Sequence, residues 1–269
     1  MIDIETQKAL RDRFNPDGSK LRNLQLKTLE ILDAVDAICK RNNIPYWLAS
    51  GTLIGAVRHG GFIPWDDDLD IEILYSDRKR FVEACIRELP EKYVLQCNDT
   101  DHSYCLNILK IRDKNTQIHE MCKLGKDEYP VSYKYNGYFI DIFTVERSCR
   151  SLVNLSKIPM KFMLLAKYKW SCSPSVLRMM YLMCSVVYSV LRFLMYLNPS
   201  AKYYYHTYGS CFSSRRVKSE MVPTREILFE GKYFSAPNDA DMYLKRIYGN
   251  YMSLPESAKQ KPLHDTAMQ

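Results

Sequence analysis

Four aspartates, Asp66, Asp67, Asp68 and Asp70, fall within five residues and lead into an apolar run over 69–74. Side chains two apart on a strand share a face, so Asp68 and Asp70 would stand ~6.5 Å apart at their Cα atoms. Two carboxylates so placed can reach one hard cation. Mg²⁺ (or Mn²⁺) is commonly held this way, between a few carboxylates and a substrate phosphate. Without a cation these charges would repel one another beside an apolar strand. The other reading is a solvated acidic turn with an Asx turn at Asp66 or Asp67. Trp65 before the run and Ile71 within the strand favour a site.

A third carboxylate is expected from another strand. Asp141 is the lone charge in Tyr138-Phe139-Ile140-Asp141-Ile142-Phe143. An acid there is costly to bury unless it binds metal or pairs with a base. Lys110 and Arg112 alternate with Ile111 and so share one face, either toward a phosphate or as an exposed basic strand face. Upstream, Ser50-Gly51-Thr52 lies between a strand and a helix. Gly51 allows close backbone approach, the helix start offers free N–H groups, and the Thr52 hydroxyl can donate to a phosphate. Arg58 on that helix could meet a phosphate or be a cation at a helix C-terminus. His59 could bind metal or act as an acid, although a histidine at a helix end is more often structural.

These groups need a scaffold. Apolar residues at helical spacing predict a helix over 21–41, ended by Asn42-Asn43. Strands are expected at 44–49, 69–74, 93–96, 106–112, 116–119 and 138–143, with 106–112 and 116–119 forming a hairpin around Asp113-Lys114-Asn115. Short helices are expected at 53–58, stopped by Gly60-Gly61, and from Asp77 to Leu89. From about Ser151 the chain becomes rich in Leu, Met, Tyr and Val; Pro174 splits 152–197 into two helices, the second ended by Pro199. An aromatic cluster follows at 203–208, then strand and turn character at 226–237 and a helix at 239–248. The expected division is a core over 1–150, a hydrophobic helical lobe over 151–215 and a C-terminal part over 216–269 that completes the core. This is an α/β (α+β) arrangement: a mixed sheet with flanking helices and an appended hydrophobic lobe.

Bulk properties agree. Of 269 residues, 46% are apolar and 26% charged, enough for a sizeable core. The net charge of +7 suits an anionic partner such as a nucleotide, a phosphorylated glycan or a membrane surface. The basic residues are spread out, so nucleic acid is not expected. Nine cysteines without a C-x-x-C pair read as reduced thiols of a cytoplasmic protein, and the charged N-terminus lacks the apolar core of a signal peptide.

Leu24-Gln25-Leu26 with its helix, Ile44-Pro45-Tyr46-Trp47, GTLIGAVRHGGFIPWDDDLDI from Gly51, FIDIF from Phe139, YLKRIYGNYMSLP from Tyr243 and a late His264 together resemble the LicD family. That family includes bacterial phosphocholine transferases and resembles the catalytic domain of fukutin-related protein. The resemblance runs from about Leu21 to His264 and is thin over 150–215. It implies a nucleotidyltransferase-like fold whose glycine turn is Gly51-Thr52, whose D-x-D strand holds Asp68 and Asp70, and whose third acid is Asp141. It further implies Mg-dependent transfer of a phosphoryl-alcohol group from a CDP-activated donor, such as CDP-choline, to a hydroxyl of a cell-envelope glycan such as lipopolysaccharide or teichoic acid. Lys110 or Arg58 would stabilise the transferred phosphoryl group, Asp141 would hold metal or accept the acceptor's proton, and His264 has no assigned role. The competing readings are a nucleotidyltransferase moving NMP from an NTP to a small acceptor, and a non-catalytic nucleotide-binding relative.

Residues 176–197 are about long enough to span a bilayer, but Arg178 and Arg192 interrupt or bound them. Three readings stand: a helix covered by the protein or a partner, a helix touching a membrane surface, and a true span. Surface contact would suit a lipid-linked acceptor and a location at the inner face of the cell membrane.

Overall fold

Leu21, Leu24, Ile31, Leu32, Val35 and Ile38 form the buried stripe of a 22-residue helix, α2 (Lys20–Arg41), capped by Ser19, whose hydroxyl accepts the Arg22 N–H. The computed structural model, which describes residues 2–198 and 200–262, lays this helix against one face of a mixed sheet. Its strands are β1 (Tyr46–Leu48), β2 (Asp70–Leu74), β3 (Tyr93–Gln96), β4 (Leu109–Asp113) and β7 (Phe139–Arg147), in the order β1-β2-β7-β4-β3. β2 and β7 run parallel and the other pairs are antiparallel. Each central strand has two characters. Ile71 and Ile73, Leu109 and Ile111, and Ile140 and Ile142 enter the core beneath α2, while the alternate residues Asp70, Glu72, Lys110, Arg112 and Asp141 share the opposite face.

Two helices complete the first part, α3 (Ser50–His59) between β1 and β2, and α4 (Arg78–Glu88) between β2 and β3. Asp77 precedes α4 without capping it; its carboxylate pairs instead with Arg80 at 2.7 Å. After β7 come α5 (Arg150–Tyr168) and α6 (Pro174–Tyr196), with Pro174 in the first turn of α6. The chain then rejoins the sheet as β8 (Tyr203–His206), which pairs with β7 beyond the end of β4, and β9 (Arg216–Val217) pairs with β8. A short α7 (Lys218–Met221), the hairpin β10 (Arg225–Phe229)–β11 (Lys232–Ala236) and α8 (Ala240–Tyr248), capped by Asp239, follow. Pro199, expected to end the second lobe helix, lies outside the described residues.

Three elements differ from expectation. Residues 116–119 are not a strand, because β4 already has β3 on one edge and β7 on the other, leaving no edge for a returning hairpin. The hairpin forms later, as β5 (Met121–Leu124) and β6 (Asp127–Pro130), turning at Gly125 with φ +71°. An N-terminal helix, α1 (Ile4–Phe14), is not expected from the apolar pattern, because it has no buried residue and only a local cap, Asp3 accepting the Thr6 N–H. β8 was foreseen only as an aromatic cluster.

Candidate active site

The first turn of α3 is fastened to the first residue of β2. The Asp70 N–H donates to Thr52 Oγ1 at 2.8 Å, the Ala49 N–H donates to Asp70 O at 3.0 Å, and the Asp70 carboxylate hydrogen-bonds the Ser50 side chain. Glycines make this junction tight. A Cβ on Gly51 would stand 2.6 Å from Asp66 Oδ2, and one on Gly55 would stand 2.4 Å from Gly61 O. Glycine at 55 therefore lets α3 pack on the loop that feeds the acids, and glycine at 51 lets Asp66 lie over the helix start. The free N–H groups and dipole there favour negative charge.

Asp70 and Asp141 are register partners on the parallel pair β2–β7, and Asp141 is opposite Lys110 on β4. Lys110 Nζ is 2.8 Å from Asp141 Oδ1 and 3.6 Å from Glu120 Oε2, and lies 3.2 Å from the centroid of the Phe139 ring. Regular strand pairing begins at Asp70, so Asp68 sits in the loop just before β2 rather than within it. Its charge still bears on its neighbours. Burial, reinforced by Asp68 and then Asp141, pushes the Asp70 carboxyl well above the usual carboxylate range; Ser50 and Lys110 oppose that push. Burial, then Asp68, Asp70 and Asp67, raise Asp66 in the same way, and Asp66 also hydrogen-bonds Asp68.

The other expected phosphate contacts are placed as follows. Thr52 is buried and its oxygen accepts from the backbone. Arg112 shares the Lys110 face, fully buried, with its three guanidinium nitrogens bonded to Gln96, the Gly137 carbonyl and Glu120. Arg58 is buried against the C-terminal segment, donating to Tyr251 O at 2.7 Å and Ser253 O at 3.1 Å. His264 lies outside the described residues. In the sequence Asp66 and Ser50 figure only as members of the acidic run and of the turn, with no role of their own at the site, and neither Glu120 nor Tyr248, which hydrogen-bonds Ser50, is marked. For Asp66 the signal was its place in the acidic run; for Glu120 there was none.

His59 is engaged as a structural link, with both ring nitrogens bonded within the chain. Its Nε2 accepts from Arg58 Nε at 2.9 Å and its Nδ1 donates to Gln7 Oε1 at 2.6 Å, tying α1 to α3. Burial, then the Arg58 charge, holds this ring at about 3, and burial with the Arg216 charge holds His206 at about 4, so both are neutral in the folded chain. Unfolded, each would titrate near 6.5. Their stabilisation is therefore full above that value and is lost as pH falls through 6.5 toward the folded values, at up to ~1.4 kcal/mol per pH unit per ring. Urea unfolding at pH 7 and pH 5.5 should show the loss, and His59→Gln should reduce the slope. An unchanged slope in that variant would contradict this assignment.

Beneath the acids, on the same face of β2, Glu72 is fully buried and is approached by four side chains. Trp47 Nε1 donates at 3.0 Å, Tyr243 OH at 2.8 Å, Arg216 through Nε at 3.1 Å and Nη2 at 2.5 Å, and His206 Nε2 is 2.8 Å away. Burial alone would raise this carboxyl, but Arg216 and His206 overcome burial and hold it at about 2.

Among the described residues no three His, Cys, Asp or Glu side chains converge into a ready-made metal cage. The donor set nevertheless fits a hard divalent cation. It consists of carboxylate oxygens gathered around the start of β2, two of the acids carry pKa values raised by burial first and then by their neighbours' charge, and such ions complete their shell with substrate phosphate and water.

Acids at the starts of two adjacent parallel strands, a lysine on the next strand and a helix N-terminus facing them define a nucleotidyltransferase-like site on a mixed sheet. The family model described as the LicD/FKTN/FKRP nucleotidyltransferase domain matches residues 43–154. The chain is 30% identical over 253 residues to the lipopolysaccharide cholinephosphotransferase LicD of Haemophilus influenzae, covering 91% of this chain and 96% of that one. Over 43 residues it is 44% identical to the human ribitol 5-phosphate transferase FKRP, which is 16% of this chain and 9% of that protein. The chain belongs to the LicD family and is a phosphotransferase of its nucleotidyltransferase-like type.

Proposed function

We propose that this enzyme moves a phosphocholine-like group from a CDP-activated alcohol onto a hydroxyl of a lipopolysaccharide-type glycan. The observation that carries the reading is the Asp70–Asp141 register with Lys110 paired to Asp141, in a chain similar along 91% of its length to a named cholinephosphotransferase. In the reaction the acceptor oxygen bonds to the phosphorus that bears the alcohol. The bond from that phosphorus to the bridging oxygen breaks, CMP leaves, and the acceptor proton passes to a base. Asp68 and Asp70 would hold Mg²⁺ or Mn²⁺, which when bound neutralises the donor's diphosphate. The start of α3 at Gly51 seats a phosphate oxygen. Lys110 stabilises charge on the transferred group, and Asp141 accepts the proton or adds an oxygen to the metal. Arg112 acts indirectly by fixing Glu120 and the Gly137 backbone. Arg58 holds the C-terminal segment beside α3.

The test is a melting-temperature panel with Mg²⁺ and CDP-choline, CDP-ribitol, CDP-glycerol, CTP or ATP, followed by product analysis with lipopolysaccharide. A ligand that binds only the folded state raises the melting temperature. The expected result is a Mg²⁺-dependent rise with one CDP-alcohol and release of CMP. Pyrophosphate from CTP or ATP, with no CMP from any CDP-alcohol, would replace this reading with nucleotidyl transfer.

A further inference from the structure

α6 carries one narrow polar stripe, Arg178, Tyr181, Ser185, Ser189 and Arg192, and is apolar over the rest of its surface. Its inward stripe, including Leu177, Cys184, Tyr188, Leu191 and Met195, packs on the protein. Its outward stripe, Met179, Leu182, Val186, Val190, Phe193 and Leu197, is equally apolar and stands in solvent, with Val186 65% and Phe193 60% exposed. Leu155, Ile158 and Phe162 of α5 extend this surface, and an apolar groove lined by Pro159, Phe162, Met183 and Val187 runs between the two helices. Continuous apolar surface of this kind is seldom left facing water.

By length and composition α6 could cross a membrane. Its two arginines prevent it from doing so while the domain stays folded. Arg178 pairs with Asp99 at 2.9 Å and donates to Asn98 Oδ1 at 2.5 Å, and Arg192 grips Glu146 at 2.6 and 3.0 Å. These anchors lie ~21 Å apart along the helix and clamp it lengthwise to the domain. Only the outward stripe can enter a second phase, which is how an in-plane amphipathic helix sits in a membrane interface.

Charge selects the occupant. Between Glu146 and Glu220 there is no acid, while residues 147–219 hold twelve lysines and arginines. Lys157 and Lys161 stand one turn apart beside Ile158 and Phe162, and Lys169 precedes the exposed Trp170. A second copy docked on this face would set this basic rim against itself with no acid to answer it. A layer of anionic headgroups supplies the missing charge. We propose that the outer face of the α5–α6 hairpin docks, in plane and without spanning, on an anionic lipid bilayer.

The experiment uses the full chain and vesicles of phosphatidylcholine, with or without phosphatidylglycerol. Trp47 and Trp65 are buried, so a blue shift on binding reports Trp170. Binding to the anionic vesicles should be at least about tenfold tighter than to neutral ones, each nearby cation contributing about fivefold. Lys157→Gln with Lys161→Gln should weaken it about 25-fold on the same basis. Val186→Glu with Val190→Glu should abolish it. All four positions lie at the surface, and an unchanged melting transition verifies that the variants fold. Equal binding to both vesicle types, or no binding to either, overturns the proposal. So does a stable dimer in solution that Val186→Glu dissociates, since a second copy would then cover this face.

Discussion

Asp70→Asn should lower transfer by about 10³-fold or more and, in metal-free buffer, raise the melting temperature by about 2–6 °C. Both effects follow from one circumstance. Asp70 is buried beside Asp68 and Asp141, and its carboxyl is pushed upward. An acid raised in this way contributes its full stability only below its unfolded value near 3.8, and that stability is lost progressively as pH rises from there through the folded value. Asparagine is neutral at every pH, so it removes the loss, and its oxygen can still accept from Ser50. The Asp70 N–H to Thr52 is untouched. On the proposed reading Mg²⁺ stabilises the wild type, and the variant should lose that stabilisation. Calorimetry with and without Mg²⁺, alongside turnover, decides the matter. Retained activity would exclude Asp70 from the machinery, and a large fall in melting temperature would mean that the carboxylate is a structural prop.

The second large effect lies one layer deeper. Arg216→Met should destabilise the protein by about 3–5 kcal/mol, because it strips Glu72 of its main counter-charge and leaves a buried carboxylate. For a chain of this size that is a fall in melting temperature of roughly 10 °C. Adding Glu72→Gln to Arg216→Met should recover part of the loss, since the stranded charge goes with it. A double-mutant cycle by urea unfolding measures this. A shift under about 2 °C for Arg216→Met, or no recovery in the double variant, would show that Trp47 and Tyr243 suffice to hold Glu72.

Much of this site was legible because charges inside apolar strands are conspicuous. Asp141 stood out in Phe139–Phe143 for that reason, and the DDDLD run stood out through its entry into β2. The same logic applies to Glu72, in Asp-Ile-Glu-Ile-Leu, where the neighbouring acidic run masks it. Its partners Arg216 and His206 could not have been found, since only the pairing of β8 with β7 and β9 brings them near β2. Lys110 and Arg112 were correctly placed on one face by alternation. Their different uses depend on Glu120 and Gly137, which reach them through a loop with no periodic signal. The false hairpin at 116–119 came from local turn chemistry, which cannot show that both edges of β4 are taken.

The order in which the hub around Glu72 is assembled bears on how the chain folds as it is made. Every acid of the candidate site, Asp141 included, leaves the ribosome before the α5–α6 hairpin does. Arg216 and His206, which neutralise and bond Glu72, come after it. A nascent chain that has completed β7 holds all the chemical groups but would have to bury Glu72 uncompensated to close its sheet. Co-translational folding should therefore stall in an open intermediate through synthesis of the hairpin, and should lock once Arg216 has emerged.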